Sequence, residues 1–209
     1  RTGQVDDPAI FKLRQQAINM VHQWKKSPVR GFMGGRIDLI SHQLYIAQEV
    51  GNRMAPKVML SDEVGLGKTI EAGLIIHRQL ITGRASRILI IVPESLVHQW
   101  FVELLRKFNI WVNIFDEERC LAIEKVQPDT NPFLDDQIIL TSIDFLADKP
   151  ERVKQAEEAE WDIMVIDEAH HLNWKEGTPS KEYQLVQSLS RKTEGLLLLT
   201  ATPVSYTHL

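Results

Sequence analysis

Residues 58–69 read VMLSDEVGLGKT, and this stretch decides the fold class. Val58–Leu60 is a short apolar run typical of a buried strand, and a helical pattern begins at Lys68. Gly65 and Gly67 allow a sharp turn between the two, so that successive backbone amides point inward. A glycine-rich turn that leads from a strand into a helix N-terminus is an anion-binding arrangement. The stretch therefore predicts a phosphate-binding loop.

Two side chains of this loop predict the chemistry of its ligand. Lys68 is placed to reach the β- and γ-phosphates of a nucleotide, and the Thr69 hydroxyl is placed to bind Mg²⁺. Asp62 departs from the usual G-x-x-x-x-G-K-T pattern, because it stands where the first glycine would be. The alternative is a glycine-rich turn before an ordinary helix, with Lys68 on the surface. The expected phosphate-binding residues are Asp62, Glu63, Val64, Gly65, Leu66, Gly67, Lys68 and Thr69.

Short apolar runs and helical patterns alternate along the rest of the chain. The runs are largely continuous in their hydrophobicity, which is typical of strands buried on both faces of a parallel sheet. Helices between such strands cover both faces of the sheet, so the predicted fold class is α/β. Strands are expected at Val58–Leu60, Ile88–Val92, Trp111–Phe115, Ile138–Thr141, Ile163–Ile166 and Leu196–Thr200. Helices are expected at Lys68–Thr82, Ser95–Phe108, Ile143–Ala147, Glu151–Ala159 and Ser180–Ser190.

The N-terminal part has a different pattern. Asp7 is a candidate N-cap and Pro8 a favourable first helical residue, and apolar residues then recur at helical spacing, which predicts an amphipathic leader helix. Prolines and glycines between residues 27 and 35 end this helix. Ser41 is expected to cap a short helix through Val50. The expected division is 1–35 as helical leader and linker, 36–203 as the main domain, and 204–209 as a non-native tail.

Composition narrows the possible partners. The chain has 209 residues and a net charge of −4, so any contact with nucleic acid must be local. Its single cysteine, Cys120, cannot form an internal disulfide and fits a reducing cytosolic compartment. No apolar stretch is long enough to span a bilayer. We therefore expect a cytoplasmic monomer with no membrane partner, and we interpret Cys120 as a buried thiol without a role.

Other aromatic and charged residues are interpreted as structural. Three tryptophans fall in or beside predicted core segments, so we expect Trp100, Trp111 and Trp161 to pack inside. For Trp174, the choice between packing and stacking on a nucleic-acid base stays open. The charge-rich run 151–160 is interpreted as a solvated helix face.

A second motif follows the apolar run Ile163–Ile166. Asp167 and Glu168 form an acidic pair at the carboxyl end of a predicted parallel strand, where open α/β sheets place their ligands. We expect Asp167 to hold Mg²⁺ opposite Thr69, and Glu168 to take a proton from the water that attacks the γ-phosphate. The alternative is an ordinary helix N-cap.

Polar residues near this pair are expected to couple the site to its surroundings. His170 is interpreted as a polar relay, because His170 and His171 lack the accompanying pattern of a zinc site. Thr200 and Thr202 end the last predicted strand, and their hydroxyls can hydrogen-bond the acidic motif.

Together these motifs resemble those of Swi/Snf-type superfamily-two helicase-like ATPases. Asp62–Thr69, Asp167–His170 and Thr200–Thr202 resemble motifs I, II and III of that family, in the same order. The stretch 41–43 resembles its adenine-recognising glutamine motif, which implies that Gln43 joins the ATP-binding residues. The stretch 92–96 resembles motif Ia. Longer strings resemble bacterial members of the family that associate with RNA polymerase.

The resemblance implies the first RecA-like lobe of a motor that uses ATP and Mg²⁺ to move on double-stranded DNA without separating its strands. It also implies that core RNA polymerase is a partner, and that the motor releases stalled polymerase for recycling. Pro93, Ser95, Thr141 and Ser142 would contact DNA phosphates by the same resemblance, although turns and helix caps are the alternative for these four.

In the family a second lobe supplies arginines to the γ-phosphate, and such a residue is typically worth about 10³–10⁵ in turnover. The 209-residue stretch by itself is therefore expected to bind ATP and hydrolyse it poorly. A P-loop kinase or a nucleotide-gated binding module is the competing hypothesis. Glu168 favours hydrolysis, because a gating module needs no general base.

Overall fold

The structure is a computed structural model of the 209-residue chain, and it describes residues 7–26, 40–61, 67–172 and 179–201. Its centre is a six-stranded sheet in the order β1-β6-β5-β2-β4-β3, in which every neighbouring pair is parallel. The strands are β1 (Lys57–Ser61), β2 (Ile88–Val92), β3 (Asn113–Phe115), β4 (Ile138–Ser142), β5 (Ile163–Ile166) and β6 (Gly195–Thr200).

Helices connect the strands and cover the sheet. They are α1 (Pro8–Lys26), α2 (Ser41–Gly51), α3 (Lys68–Thr82), α4 (Val97–Phe108), α5 (Glu117–Val126), α6 (Ile143–Asp148), α7 (Pro150–Glu158) and α8 (Lys181–Ser190). Short 3₁₀ helices lie at Glu94–Leu96, Pro132–Leu134 and Ala169–His171. No helix among the described segments is both long and apolar enough to cross a membrane.

Two hydrophobic cores lie on opposite faces of the sheet. Side chains alternate along a strand, so Ile88, Ile90 and Val92 of β2 pack with α2, α3 and α4. Leu89 and Ile91 point the other way and pack with residues of α5 to α8. Both faces are therefore buried, which explains the continuous apolar runs and confirms the predicted α/β class with helices on both sides.

The strand and helix predictions hold for most of the main domain. The prediction for α3 has the observed bounds, and five of the six strands shift by no more than one residue at either end. β3 is the exception, because it begins at Asn113 and not at Trp111.

The prediction that Trp111 packs inside is wrong. Its flanking residues, Ile110 and Val112, are both buried, so the alternation of an extended backbone leaves Trp111 72% exposed. Trp100 and Trp161 are buried as predicted. Trp174 lies outside the described residues.

Two helix predictions also need correction. The N-cap of α2 is Ile40 and not Ser41, and it makes no side-chain cap bond. α5 was not predicted, because its apolar residues form only a weak stripe and Cys120 is its one fully buried residue. Burial raises the pKa of the Cys120 thiol to about 11, in keeping with the predicted inert thiol.

The interpretation of the run 151–160 as a solvated face is wrong for one of its charged residues. Arg152 of α7 is 4% exposed, and its guanidinium bonds Glu117 and Glu124 of α5. This ion-pair cluster fastens α7 to α5.

The leader helix has the predicted start. The backbone amide of Ala9 donates to Asp7 Oδ1 at 2.7 Å, which confirms Asp7 as the cap of α1. Apolar side chains of α1, including Phe11 and Leu13, are exposed. The predicted linker at 27–35 and the predicted tail at 204–209 lie outside the described residues.

Candidate nucleotide site

Strand order brings the two motifs to one edge of the sheet. β1 leads into the phosphate loop and β5 into the acidic pair, and β6 is the single strand between them. Neighbouring strands lie about 4.8 Å apart, so the carboxyl ends of β1 and β5 are separated by about 10 Å. That distance suits a triphosphate with its metal ion.

The described end of the phosphate loop has the expected backbone. Residues 62–66 lie outside the described segments, but Gly67 adopts a left-handed conformation with φ of 87° and caps α3. The positive φ favours glycine there, and a Cβ would in addition come within 2.5 Å of Gln43 Nε2, so that this side chain would have to move. Lys68 and Thr69 form the first turn of α3, with their side chains partly exposed.

Gln43, which the family resemblance added to the site, lies against this loop. It is 3% exposed on α2. Contacts at both ends of α2 hold this helix against α3. His42 Nε2 lies 3.7 Å from Glu71 Oε1, and Gln79 Nε2 donates to the Gly51 carbonyl at 3.1 Å. The position of Gln43 therefore depends on how α2 packs on α3.

Asp167 is fixed by two donors. Its backbone amide bonds the Ile91 carbonyl at 3.0 Å, which continues the pairing of β5 with β2. Trp100 Nε1 donates to Asp167 Oδ2 at 2.7 Å, and the Glu168 amide donates to Oδ1 at 2.8 Å. The carboxylate is thus held in one orientation at the strand end.

The surroundings of Asp167 act on its pKa in opposite directions. Burial raises the pKa and is the largest influence, and the neighbouring charge of Glu168 adds to it. The hydrogen bonds from Trp100 and the Glu168 amide lower the pKa, as does the positive charge of Lys68. Lys68 is therefore close enough to act electrostatically on Asp167, although the two residues are on different motifs.

Glu168 connects to the predicted coupling residues. Its Oε2 lies 3.1 Å from His170 Nδ1, and the same nitrogen lies 3.5 Å from Thr200 Oγ1. Thr200 in turn pairs with Ser61, the last residue of β1 before the loop. The structure thus brings Glu168, His170 and Thr200 together, while Thr202 lies outside the described residues.

A cavity of about 390 Å³ opens beside the acidic pair. It is lined by Pro93, Ile143, Asp144, Asp167, Glu168, His171, Leu172 and Glu182. The cavity gives solvent or ligand access to Glu168 and joins the acidic pair to the segment after β2.

The available oxygen donors suit Mg²⁺. Asp167 offers a carboxylate whose two oxygens each accept one hydrogen bond and keep further lone pairs, and Thr69 offers a hydroxyl on the facing motif. Mg²⁺ prefers oxygen ligands and commonly binds one or two carboxylates together with substrate phosphates and water.

The four residues proposed for the nucleic-acid path have different surroundings. Ser95 is exposed and Pro93 partly exposed. Thr141 is fully buried, and its hydroxyl donates to the Phe115 carbonyl at 2.8 Å. Ser142 is 3% exposed and caps α6 by accepting from the Phe145 amide. Ser142 thus has the helix-cap role that was the alternative for it, whereas the Thr141 hydroxyl bonds the neighbouring strand and caps no helix. Contact of either residue with DNA stays a prediction.

Comparison with known proteins assigns the family. A family model described as the SNF2-related domain matches residues 19–208, which is most of the chain. The chain belongs to the SNF2-related domain family. This confirms the family that the three motifs indicated.

Relatives of this SNF2-related domain are longer proteins. The RNA polymerase-associated protein RapA of Vibrio cholerae is 57% identical over 201 residues, which are 96% of this chain and 20% of the relative. RapA of Photobacterium profundum is 56% identical with the same coverage. The chain therefore spans about one fifth of the length of these relatives.

Solved structures share the fold. The SWI2/SNF2 ATPase core of Sulfolobus solfataricus in complex with dsDNA matches with a TM-score of 0.65 and 24% identity, over 83% of this chain and 34% of that one. The Hef helicase domain of Pyrococcus furiosus matches with a TM-score of 0.60 and 20% identity, over 79% of this chain and 33% of that one. Both confirm the arrangement of the sheet and its helices.

One residue of the SNF2-related site was not found by sequence reasoning. Trp100 was assigned to packing alone, yet it is a direct hydrogen-bond donor to Asp167. Two sequence signals could have located it. Val97, Trp100 and Leu104 share the buried stripe of α4, and alternation along β5 places Val165 and Asp167 on the face that α4 covers.

Proposed function

We propose that this SNF2-related domain is the first ATP-binding lobe of a Swi/Snf-type ATPase that moves on double-stranded DNA and acts on RNA polymerase. The observation that carries the proposal is the strand order, which brings the phosphate loop after β1 and the acidic pair after β5 to one edge of the sheet, two strand positions apart. A phosphate loop and an acidic pair at this separation suit one metal-bound triphosphate.

Each residue then has a role in ATP hydrolysis. Lys68 binds the β- and γ-phosphates, and Gln43 orients the adenine. Thr69 and Asp167 would hold Mg²⁺, which would offset negative charge on the phosphates. Glu168 orients a water molecule and takes its proton as the water oxygen bonds the γ-phosphorus. The bond from that phosphorus to the β,γ-bridging oxygen breaks, and ADP leaves with the electron pair.

The polymerase and DNA parts of the proposal have separate support. Relatives with 57% identity are named as RNA polymerase-associated, and the neighbour with the same fold was solved on dsDNA. We infer a cytoplasmic, monomeric motor that binds core polymerase through regions beyond this lobe. Within the lobe, Ser95 and Pro93 are the stronger candidates for DNA phosphate contacts, because they are the exposed members of the proposed path.

Equilibrium binding tests the nucleotide part of this proposal. The 209-residue chain is titrated with a fluorescent ATP analogue in the presence of Mg²⁺, and Lys68→Ala is compared with Lys154→Ala. Lys154 is an exposed lysine on α7, which packs on the face of the sheet opposite α3, so its replacement should leave binding unchanged. Loss of charge-assisted bonds to phosphate should weaken binding by about tenfold to a hundredfold in Lys68→Ala.

Two results would contradict the proposal. Equal affinities for the two variants would contradict the role of Lys68. Failure of the unmodified chain to bind the analogue would contradict the proposed nucleotide site as a whole.

A further inference from the structure

Trp100 contacts a residue of the candidate site but is not itself among the residues that the motifs identify. It is 1% exposed on α4, in the buried stripe with Val97, Leu104 and Phe108. A buried indole N–H needs an acceptor, and the one available to Trp100 is Asp167 Oδ2 at 2.7 Å. The bond joins α4 to the acidic motif across 67 positions of the chain.

Trp161 shows that the fold can satisfy a buried indole without using the site. It is 3% exposed, and its Nε1 donates to the Ala156 carbonyl at 2.8 Å, within its own segment of chain. Packing alone therefore does not require a carboxylate partner. For Trp100, the acceptor of the indole N–H is the side chain of Asp167, which is expected to hold Mg²⁺.

Geometry gives the Trp100 bond a specific consequence. The Glu168 amide holds only Oδ1, so the carboxylate could still rotate about that contact. A second donor on Oδ2 fixes the plane of the carboxylate and with it the direction of the remaining lone pairs. An indole is a donor only, so it cannot compete with Asp167 for the metal ion.

We propose that Trp100 is a positioning residue that holds the Asp167 carboxylate in the orientation in which it binds hydrated Mg²⁺. This inference rests on the proposed nucleotide site. Partners that orient a metal ligand are commonly worth tenfold to a hundredfold in metal affinity. α4 also follows directly on the Glu94–Leu96 turn, so the bond ties the helix after Ser95 to Asp167.

The test measures Mg²⁺ dependence and not turnover. Binding of the fluorescent ATP analogue to the 209-residue chain is followed as Mg²⁺ is varied, and again with EDTA present. Trp100→Phe keeps the aromatic packing and removes the N–H. We expect it to raise the Mg²⁺ concentration for half-maximal enhancement about tenfold, with metal-free binding unchanged.

Trp161→Phe is the matched control. It removes a buried indole bond of similar length from the opposite end of the sheet, and it should lower thermal stability without moving the Mg²⁺ dependence. In an Asp167→Asn background, Trp100→Phe should add no further change, because the carboxylate that it positions is gone.

Four outcomes would count against the inference. The Mg²⁺ dependence of Trp100→Phe could match that of Trp161→Phe, or its effect could persist undiminished in the Asp167→Asn background; either result overturns the role of Trp100 alone. If Trp100→Phe does not fold, 3-benzothienylalanine at position 100 supplies the same shape without the N–H, and an unaltered Mg²⁺ dependence in that variant also overturns it. An unmodified chain that binds no analogue contradicts the proposed site, and with it this inference.

Discussion

Glu168 adopts a left-handed backbone conformation, with φ of 49°, at the point where β5 leaves the sheet. A side chain other than glycine is strained there by about 1 kcal/mol or more, and such strain is concentrated at functional sites. The conformation lets the Glu168 amide bond Asp167 Oδ1 while the Glu168 carboxylate lies beside His170. The adjacent carboxylates of Asp167 and Glu168 can thereby contact different partners.

Replacement of Glu168 by glutamine should separate binding from hydrolysis. Gln keeps the size of the side chain and its contact with His170, but it cannot take a proton from water. In a protein of the relatives' full length, phosphate release should fall about 10²–10⁴-fold while affinity for the ATP analogue stays within about twofold.

Glu160→Gln is a suitable control for that variant. Glu160 is exposed and also has a positive φ, 52°, but it precedes β5 at the other edge of the sheet. Its replacement should leave phosphate release unchanged. Undiminished release in Glu168→Gln would mean that another group takes the proton.

At the residue scale the sequence predicted what backbone pattern and residue type can specify. Lys68, Asp167 and Glu168 were predicted as site residues because each follows a recognisable strand within a characteristic motif. Trp100 was missed because its role depends on which helix covers which face of the sheet, and a single string of letters does not contain that information. Thr200 was predicted to be able to hydrogen-bond the acidic motif, and the structure places its Oγ1 3.5 Å from Nδ1 of His170, the last residue of that motif.

At the element scale, prediction worked where a strong hydrophobic stripe or a clear breaker was present. α3 was predicted to the residue, because the phosphate loop marks its start and Gly83, with φ of 68°, marks its end. α5 was missed because its stability depends on contacts with other elements. Its N-cap, Asp116, accepts from the Arg119 amide, and its buried anchor is the pair of bonds to Arg152.

Removal of that anchor should destabilise the fold in a pH-dependent way. Arg152→Met leaves Glu117 and Glu124 without their buried cation, and loss of these partly exposed charge-assisted bonds should lower the free energy of unfolding by about 2 kcal/mol. Urea denaturation at neutral pH measures this. Lys192→Met is the control, because the Lys192 side chain is 55% exposed and lies 3.7 Å from Glu157, so this pair should contribute under about 1 kcal/mol.

The pH dependence follows from the direction of the glutamate pKa values. Hydrogen bonds from Arg152 lower the pKa of Glu117 and of Glu124 below the usual 4.5 in the folded protein. The two ionised glutamates therefore stabilise the folded state fully above pH 4.5. Their contribution to the free energy of unfolding is lost as the pH falls through the lowered pKa values. The difference between Arg152→Met and the unmodified chain should shrink below pH 4.5. A difference that is constant with pH would show that Arg152 acts by packing alone.

At the scale of the whole molecule, strand order brings two motifs that are far apart in the sequence to one edge of the sheet. The sequence predicted that the loop after β1 and the acidic pair after β5 share the carboxyl edge of the sheet. It could not predict that β6 is the only strand between them, because strand order depends on how the crossover helices pack. That order sets the distance between Lys68 and Asp167 and carries Thr200 into the space between them.

The most direct test of this account is a crystal structure of the 209-residue chain with Mg²⁺ and a non-hydrolysable ATP analogue. We predict one triphosphate between β1 and β5, with Lys68 Nζ about 2.7–3.2 Å from a β- or γ-phosphate oxygen and Asp167 facing the Mg²⁺ on the other side. A nucleotide bound elsewhere, or Lys68 and Asp167 contacting separate ligands, would contradict the account.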